Sequence, residues 1–431
     1  MSYAIESIYG REILDSRGRP TVEVDVLLAD GTLGRASVPS GASTGAHEAI
    51  ERRDGDDWRH GGLGVREVIA AGLREVLPAL AGVDAREQRR IDDQLVRLDG
   101  TPNKARLGAN VVLGVSIACS RAAAAAQREP LYRWIGALAG RADSDCLLPT
   151  PMVNILSGGL HARQNIDMQD FLVIPGAAQT YSEGLAVVCD VYRATQKLLE
   201  ERGLSTLLAD EGGFGPALAS NEQALDLLMS AITRSGHEPG RDVLIALDVA
   251  ASHFYVGGRY DLRSEGRQLD SGGITDLLAG WVARYPVVSI EDGCAEDDWV
   301  GWKLLTDRLG RDVQIVGDDL FVTSPVRLGR GIAEGVANAV LVKMNQIGTL
   351  TETLDVVAQA HRAGYRTVIS ARSGETEDPY LADLAVGCVG GQIKVGSVAR
   401  SSRLAKWNQL LRIEQELGKA GRYDGRRALG L

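Results

Sequence analysis

Three carboxylates, Asp248, Glu291 and Asp318, each close a short apolar run: VLIALD, VVSIE and VQIVGD. A fourth run, VLVK, ends on Lys343, and TVISARS presents Arg372 and Ser373. QDFLVIP carries Gln169 and Asp170. Oxygen-only ligands delivered from separate strands suit Mg2+, which keeps waters or takes substrate oxygens. The plainer reading is strand-end caps and salt-bridge partners, but three converging carboxylates without neutralisation repel strongly, which favours a metal. Beside a dication an ammonium is disfavoured, so the Lys343 pKa is expected to fall toward that of a useful base; simple pairing with Asp318 or Asp319 fits the same geometry. Arg372 can grip phosphate bidentately and Lys394 can act as a point charge, though either also reads as a structural ion pair. Glu211, in ADEGGFGP, lies in a glycine-rich loop, either a solvated carboxylate or a candidate general acid.

Chemistry on this many strand ends needs a scaffold that brings those ends together. Short apolar runs alternating with helical segments, several ending on a charged residue, predict a parallel barrel with its site at the C-terminal mouth. Ahead of it, residues 3–37 alternate as strands broken at Asp15-Ser16-Arg17-Gly18 and Asp30-Gly31. A helix is predicted from about Gly108 to Gln127, through the alanine run Ala122 to Ala126, with Pro130 helping to end it. The expectation is an α+β N-terminal domain over residues 1–140 and a (β/α)8 barrel over 141–431, divided near the polar, then Pro-rich stretch Gly140 to Pro151.

A formal charge of −10 disfavours nucleic acid and anionic membrane as partners. An acidic chain can still take an anionic metabolite if metal ions supply the local positive charge. The five cysteines are scattered and never in C-x-x-C spacing, which predicts reduced thiols in a cytoplasmic protein. No basic start with an apolar core opens the chain, and no apolar stretch is expected to reach membrane-spanning length. Only seven of the 47 basic residues are lysines, so a lysine marks a place where an amine able to lose its proton could be needed. GASTG (Gly41 to Gly45) matches a nucleophile elbow, but Pro39 precedes it where a buried strand is required, so it reads as a flexible lid. GGLG (Gly61 to Gly64) is half a dinucleotide fingerprint with no strand leading into it.

Taken together, REILDSRGRPTVEV, VPSGASTGAHEA, ADEGGFGP, SIEDG, VGDDLFVTS, VKMNQIGTLTETL, RSGETED, GQIKVGS and RLAKWNQLLRIEQEL resemble the enolase family, in the same order and over essentially the whole chain. The resemblance implies a homodimer of subunits with a small α+β domain and a modified eight-stranded barrel. It implies two Mg2+ ions: Asp248, Glu291 and Asp318 match the ligands of the first, and Ser43 in the lid joins the second. Lys343 matches the base that removes the C2 proton of 2-phosphoglycerate, and Glu211 the acid that helps hydroxide leave from C3. Arg372 and Ser373 match a phosphate clamp, Lys394 a carboxylate-side contact, and His161 and Gln169 lid and substrate contacts.

Five positions depart from the family pattern. Asp170 stands for a catalytic glutamate, Ala371 for an active-site histidine, Ser157 for an asparagine, His253 for an acid and Val395 for a threonine. Asp170 and Ala371 fall by analogy near C3, where losing an imidazole costs orders of magnitude in rate. The expectation drawn from this is a specialised relative that eliminates a C3 group from a related or larger phosphorylated or phosphonylated acid, in space vacated by the imidazole. Carboxyphosphonoenolpyruvate synthase of phosphinothricin-type antibiotic biosynthesis is one such relative. The alternatives are an ordinary glycolytic enolase with tolerated substitutions and an inactive, enolase-derived binding protein.

Overall fold

The computed structural model describes residues 3–41, 44–142 and 146–430. β1 (Ile5–Leu14), β2 (Pro20–Leu28) and β3 (Leu33–Ser37) form an antiparallel meander. Its turns fall where the sequence breaks alternation. Asp15 Oδ1 accepts the main-chain N–H groups of Arg17 and Arg19, and Asp30 Oδ1 accepts that of Thr32.

Four helices come next: α1 (Arg66–Leu80), α2 (Gln88–Asp99), α3 (Ala109–Gln127) and α4 (Leu131–Leu138). α3 lies directly on β2 and β3, and the small residues permit that approach. A Cβ on Gly34 would lie 2.1 Å from the Ala118 carbonyl oxygen, and one on Gly114 would lie 2.7 Å from Val24 Cγ2. The expectation that no apolar stretch reaches membrane-spanning length is corrected here, because α3 does so by length and composition, yet it is 89% buried inside the protein. Arg128, with φ of 56°, ends α3, while Pro130 caps the start of α4 rather than stopping the helix before it.

Eight strands close the barrel: Thr150–Ser157, Asp170–Pro175, Val243–Asp248, Val287–Glu291, Gln314–Gly317, Ala339–Val342, Arg366–Ser370 and Gln392–Gly396, the last pairing with the first. The closed eight-stranded barrel is the expected modified (β/α)8 barrel, and the modification lies in one strand. Asp170–Pro175 runs antiparallel to both neighbours, so Gln169 and Asp170 reach the mouth from the beginning of a strand. Residues 158–169 contain only a 3-10 turn, too little for the crossover that parallel pairing requires, so the chain doubles back as a hairpin. The reversal also changes how the next two helices run. Helix Tyr181–Glu201 climbs from the floor, residues 202–220 cross the mouth, and helix Asn221–Arg234 descends to start the next strand.

Inside the barrel Met152, Leu172, Leu244, Val316, Leu341 and Val368 pack into an apolar layer. The Gln314 and Gln392 amides bond each other reciprocally at 2.9 and 2.8 Å in the buried interior. The barrel is therefore a filled core, and chemistry is confined to its mouth.

Candidate active site

Sheet register sets the carboxylates side by side. Glu291 pairs with Asp248, which in turn pairs with Asp170 across the reversed strand. Asp318 directly follows its strand, as Lys343 does the next; Lys394 lies within the last strand, level with Ser370 and Met152.

The cations sit among these acids. Lys394 Nζ donates to Asp248 Oδ2 and to both Glu291 oxygens, each at 2.7 Å, and Gln169 Nε2 donates to Asp248 Oδ2 at 3.1 Å. Lys343 Nζ donates to Asp318 Oδ2, while Gln346 donates to Asp318 Oδ1 at 2.9 Å. Burial pushes Asp248 upward, but Lys394 outweighs it and holds the carboxyl below its ordinary value; Lys343 does the same for Asp318. Glu291 is left well above the ordinary range, through burial and then the neighbouring Asp248 charge. Burial alone would lower Lys343, yet Asp318 carries it above the usual lysine value. The downward shift expected of Lys343 presupposes a dication; among the protein's own groups the ion pair with Asp318 prevails.

These residues fit a hard dication. The donors are buried carboxylate oxygens, Glu291 is under-neutralised, and Gln169 Oε1 is buried beside Asp248 without a hydrogen-bond partner among the described residues. Asp292 arranges the third strand end. With φ of 43° it accepts the Asp318 and Asp319 N–H groups at 2.9 and 2.8 Å, and oxygens of these three residues lie within 4.8 Å of one another. Burial and Asp318 push Asp319 up to about 8. Ser43 lies outside the described residues.

On the opposite wall stand His161, in the Gly159–Ala162 turn, and Glu211, in the loop 202–220. His161 Nδ1 faces Asp170 Oδ2 at 3.0 Å. Burial works against a charge on this imidazole, yet Asp170, with Glu211 and Asp248 behind it, pushes it up to about 9. Glu211 is fixed by its backbone. Its carbonyl oxygen accepts Ser397 N–H at 2.9 Å, and a Cβ on Gly396, where φ is 109°, would lie 2.8 Å from that oxygen. Burial raises Glu211, but Arg403, His161, Lys394 and Lys343 together bring it below the ordinary value.

Arg372 Nη1 donates to Glu48 Oε2 at 2.9 Å and to Asn345 Oδ1 at 3.4 Å. Glu48 comes from the N-terminal domain, as does Arg17, which reaches Ser373 Oγ at 3.4 Å and the Ser40 and Gly41 carbonyl oxygens. Arg403, buried, donates to the carbonyl oxygens of Arg372, Ser373 and Val395 and props the clamp from behind. Sequence reasoning gave no site role to Glu48, Arg17, Asp292 or Arg403. All four stand inside the stretches VPSGASTGAHEA, REILDSRGRPTVEV, SIEDG and RLAKWNQLLRIEQEL, which was their available signal.

One cavity of about 20 Å3 gathers His161, Gln169, Glu211, Asp248, Lys343, Arg372, Ser373 and Lys394, with Ala371 and Val395 in its wall. Among the predicted site residues, Glu291, Asp318 and Asp170 stand behind this lining rather than in it. The volume admits roughly one water, so the segments above must part to admit substrate.

This fold and site define a lyase of the enolase type. Residues 5–135 match the family model described as enolase, N-terminal domain, and residues 145–430 the one described as enolase, C-terminal TIM barrel domain. The protein is 57% identical over 421 residues to the enolase of Acidothermus cellulolyticus, covering 98% of this chain and 96% of the relative. The chain belongs to the enolase family and is a magnesium-dependent carbon–oxygen lyase. That identity overturns the reading of a specialised relative for a larger phosphorus-containing acid, and carboxyphosphonoenolpyruvate and antibiotic biosynthesis fall with it. Ala371 and Val395 line the same cavity as Lys343 and Glu211.

Proposed function

We propose that the protein interconverts 2-phosphoglycerate with phosphoenolpyruvate and water. One observation carries the reading: Lys343 and Glu211, a base and an acid of opposite charge type, line a single enclosed cavity with Arg372 and Ser373. When Asp318 turns away from it, Lys343 loses the partner that keeps it charged, releases a proton to solvent and, as the neutral amine, takes the proton from C2. Glu211, which takes up a proton once the substrate's negative charge lies beside it, gives that proton to the oxygen leaving C3, which departs as water. Arg372 and Ser373 hold the phosphate, displacing Glu48 from the guanidinium, and Lys394 lies beside the substrate carboxylate. Asp248, Glu291 and Asp318 would hold Mg2+, with Ser43 the candidate ligand of a second ion. Bound Mg2+ supplies positive charge against the carboxylate as C2 becomes electron-rich. A homodimer in the cytoplasm completes the reading, and sedimentation would measure the assembly.

The test is phosphoenolpyruvate formation from 2-phosphoglycerate and Mg2+, followed by ultraviolet absorbance with Lys343→Ala alongside. Turnover in the wild type and its loss in the variant are expected. A folded, Mg2+-binding wild type without turnover overturns the reading.

A further inference from the structure

Both oxygens of Asp170 are engaged away from the cavity. Oδ1 accepts from the Asn154 amide and, at 2.8 Å, from Ser157 Oγ, while Oδ2 faces His161 Nδ1 at 3.0 Å. The Asn154 amide also donates to Ser157 Oγ at 2.9 Å, tying the two supports together. The loop of Glu211 presses on both, since a Cβ on Gly213 would lie 2.7 Å from Asn154 Oδ1 and 3.0 Å from Ser157 Oγ. Asp170 has 0% of its side chain exposed and does not line the cavity, whereas His161 and Glu211 do. Ligand atoms of His161, Asp170 and Glu211 fall within 4.8 Å of one another. His161 Nε2 makes no hydrogen bond among the described residues, so the imidazole turns one nitrogen to Asp170 and leaves the other for the cavity.

We propose that Asp170 is a positioning residue, which with Asn154 and Ser157 behind it fixes His161 so that Nδ1–H points to Asp170 and Nε2 serves the substrate beside Glu211. A buried carboxylate that accepts three hydrogen bonds cannot reorient without leaving donors unpaired. The partner of one ring nitrogen decides what the other presents, so the chain of contacts reaches the cavity through the imidazole. The upward shift of His161 to about 9 agrees with this contact. Asp170 then acts one residue back from the reacting atoms.

The turnover readout rests on the 2-phosphoglycerate reading, while the spectroscopic readout does not. The full-length chain has six histidines, few enough for 15N-histidine NMR with His161 assigned through His161→Gln. The wild type should show His161 Nδ1 protonated and hydrogen bonded. Asp170→Asn should move the His161 nitrogen signals and lower kcat by roughly 10- to 100-fold with KM little changed. Ser157→Ala, which deletes one hydroxyl and keeps the carboxylate, should move the same signals less and cost several-fold in kcat, as second-sphere changes do. An unprotonated Nδ1 in the wild type overturns the proposal, with no variant needed. So does a fall in kcat in Asp170→Asn that leaves the His161 signals unmoved, since Asp170 would then act on substrate directly. A wild type that shows the expected His161 signals but leaves 2-phosphoglycerate untouched upholds the positioning and overturns only the substrate reading.

Discussion

Lys394 holds its ammonium 2.7 Å from Asp248 Oδ2 and 2.7 Å from each oxygen of Glu291. The chain thus supplies its own cation to the two carboxylates that would share Mg2+. Removing one partner of a buried pair strands the other charge, at a cost of about 3–5 kcal/mol. Lys394→Met should therefore melt well below the wild type in EDTA, and Mg2+ should recover part of the difference. Equal melting temperatures without metal would show that the pair does not hold the apo site together.

Lys343→Ala removes the base without emptying a core position, since its side chain retains 14% exposure. A positioned acid or base contributes typically ~10²–10⁴-fold. Turnover should fall within or beyond that range while circular dichroism and Mg2+ binding by calorimetry persist. Activity within tenfold of the wild type would move the base elsewhere.

Acid should loosen the N-terminal sheet before the barrel mouth. Hydrogen bonds from Arg59 hold Glu12 down to about 2, and those from Arg35 and Arg11 hold Asp25 down to about 2. Carboxyls depressed in the fold add stability above their unfolded pKa of roughly 4, and lose it as pH falls toward 2. Melting temperature should drop between about pH 5 and 2, and the double variant Glu12→Gln, Asp25→Asn should flatten that slope while lowering stability at pH 7. A slope that survives in the variant would assign acid sensitivity to other groups.

Gly34→Ala tests the seat of α3. The added methyl would fall 2.1 Å from the Ala118 carbonyl and 2.5 Å from Ala122 N, both backbone. Overpacking a tight core costs about 1–3 kcal/mol, and rigid backbone on both sides places this case at the upper end. Chemical denaturation should register the loss; an unaffected midpoint would mean that α3 shifts freely on the sheet.

Much of this was written in the sequence, for physical reasons. Apolar runs ending on Asp248, Glu291, Asp318 and Lys343 announced strand ends, because a buried strand tolerates charge only where it emerges. α3 and the two N-terminal turns were legible from helical periodicity and Asx-turn chemistry. The reversal at Asp170 was not, because a strand buried on both faces looks the same read in either direction. The Arg372–Glu48 and Lys394–Glu291 pairs were also hidden, since residues remote in sequence meet only once the barrel has closed. That the Asp170 oxygens turn to Asn154, Ser157 and His161 was likewise not legible, since these partners meet it only in the folded barrel. The inference from Ala371 to a different substrate failed because one missing side chain does not say how the residues around it are placed.

The reversed strand Asp170–Pro175 also has a practical meaning for anyone remodelling this protein. In a regular barrel new sequence spliced after a strand lands on the catalytic side, but here residues 176–180 emerge on the far side, with Ala177 and Gln179 exposed. A peptide tag or reporter inserted at Gln179 should leave turnover intact. The same insertion in residues 202–220, one helix later, would displace Glu211 and silence the enzyme.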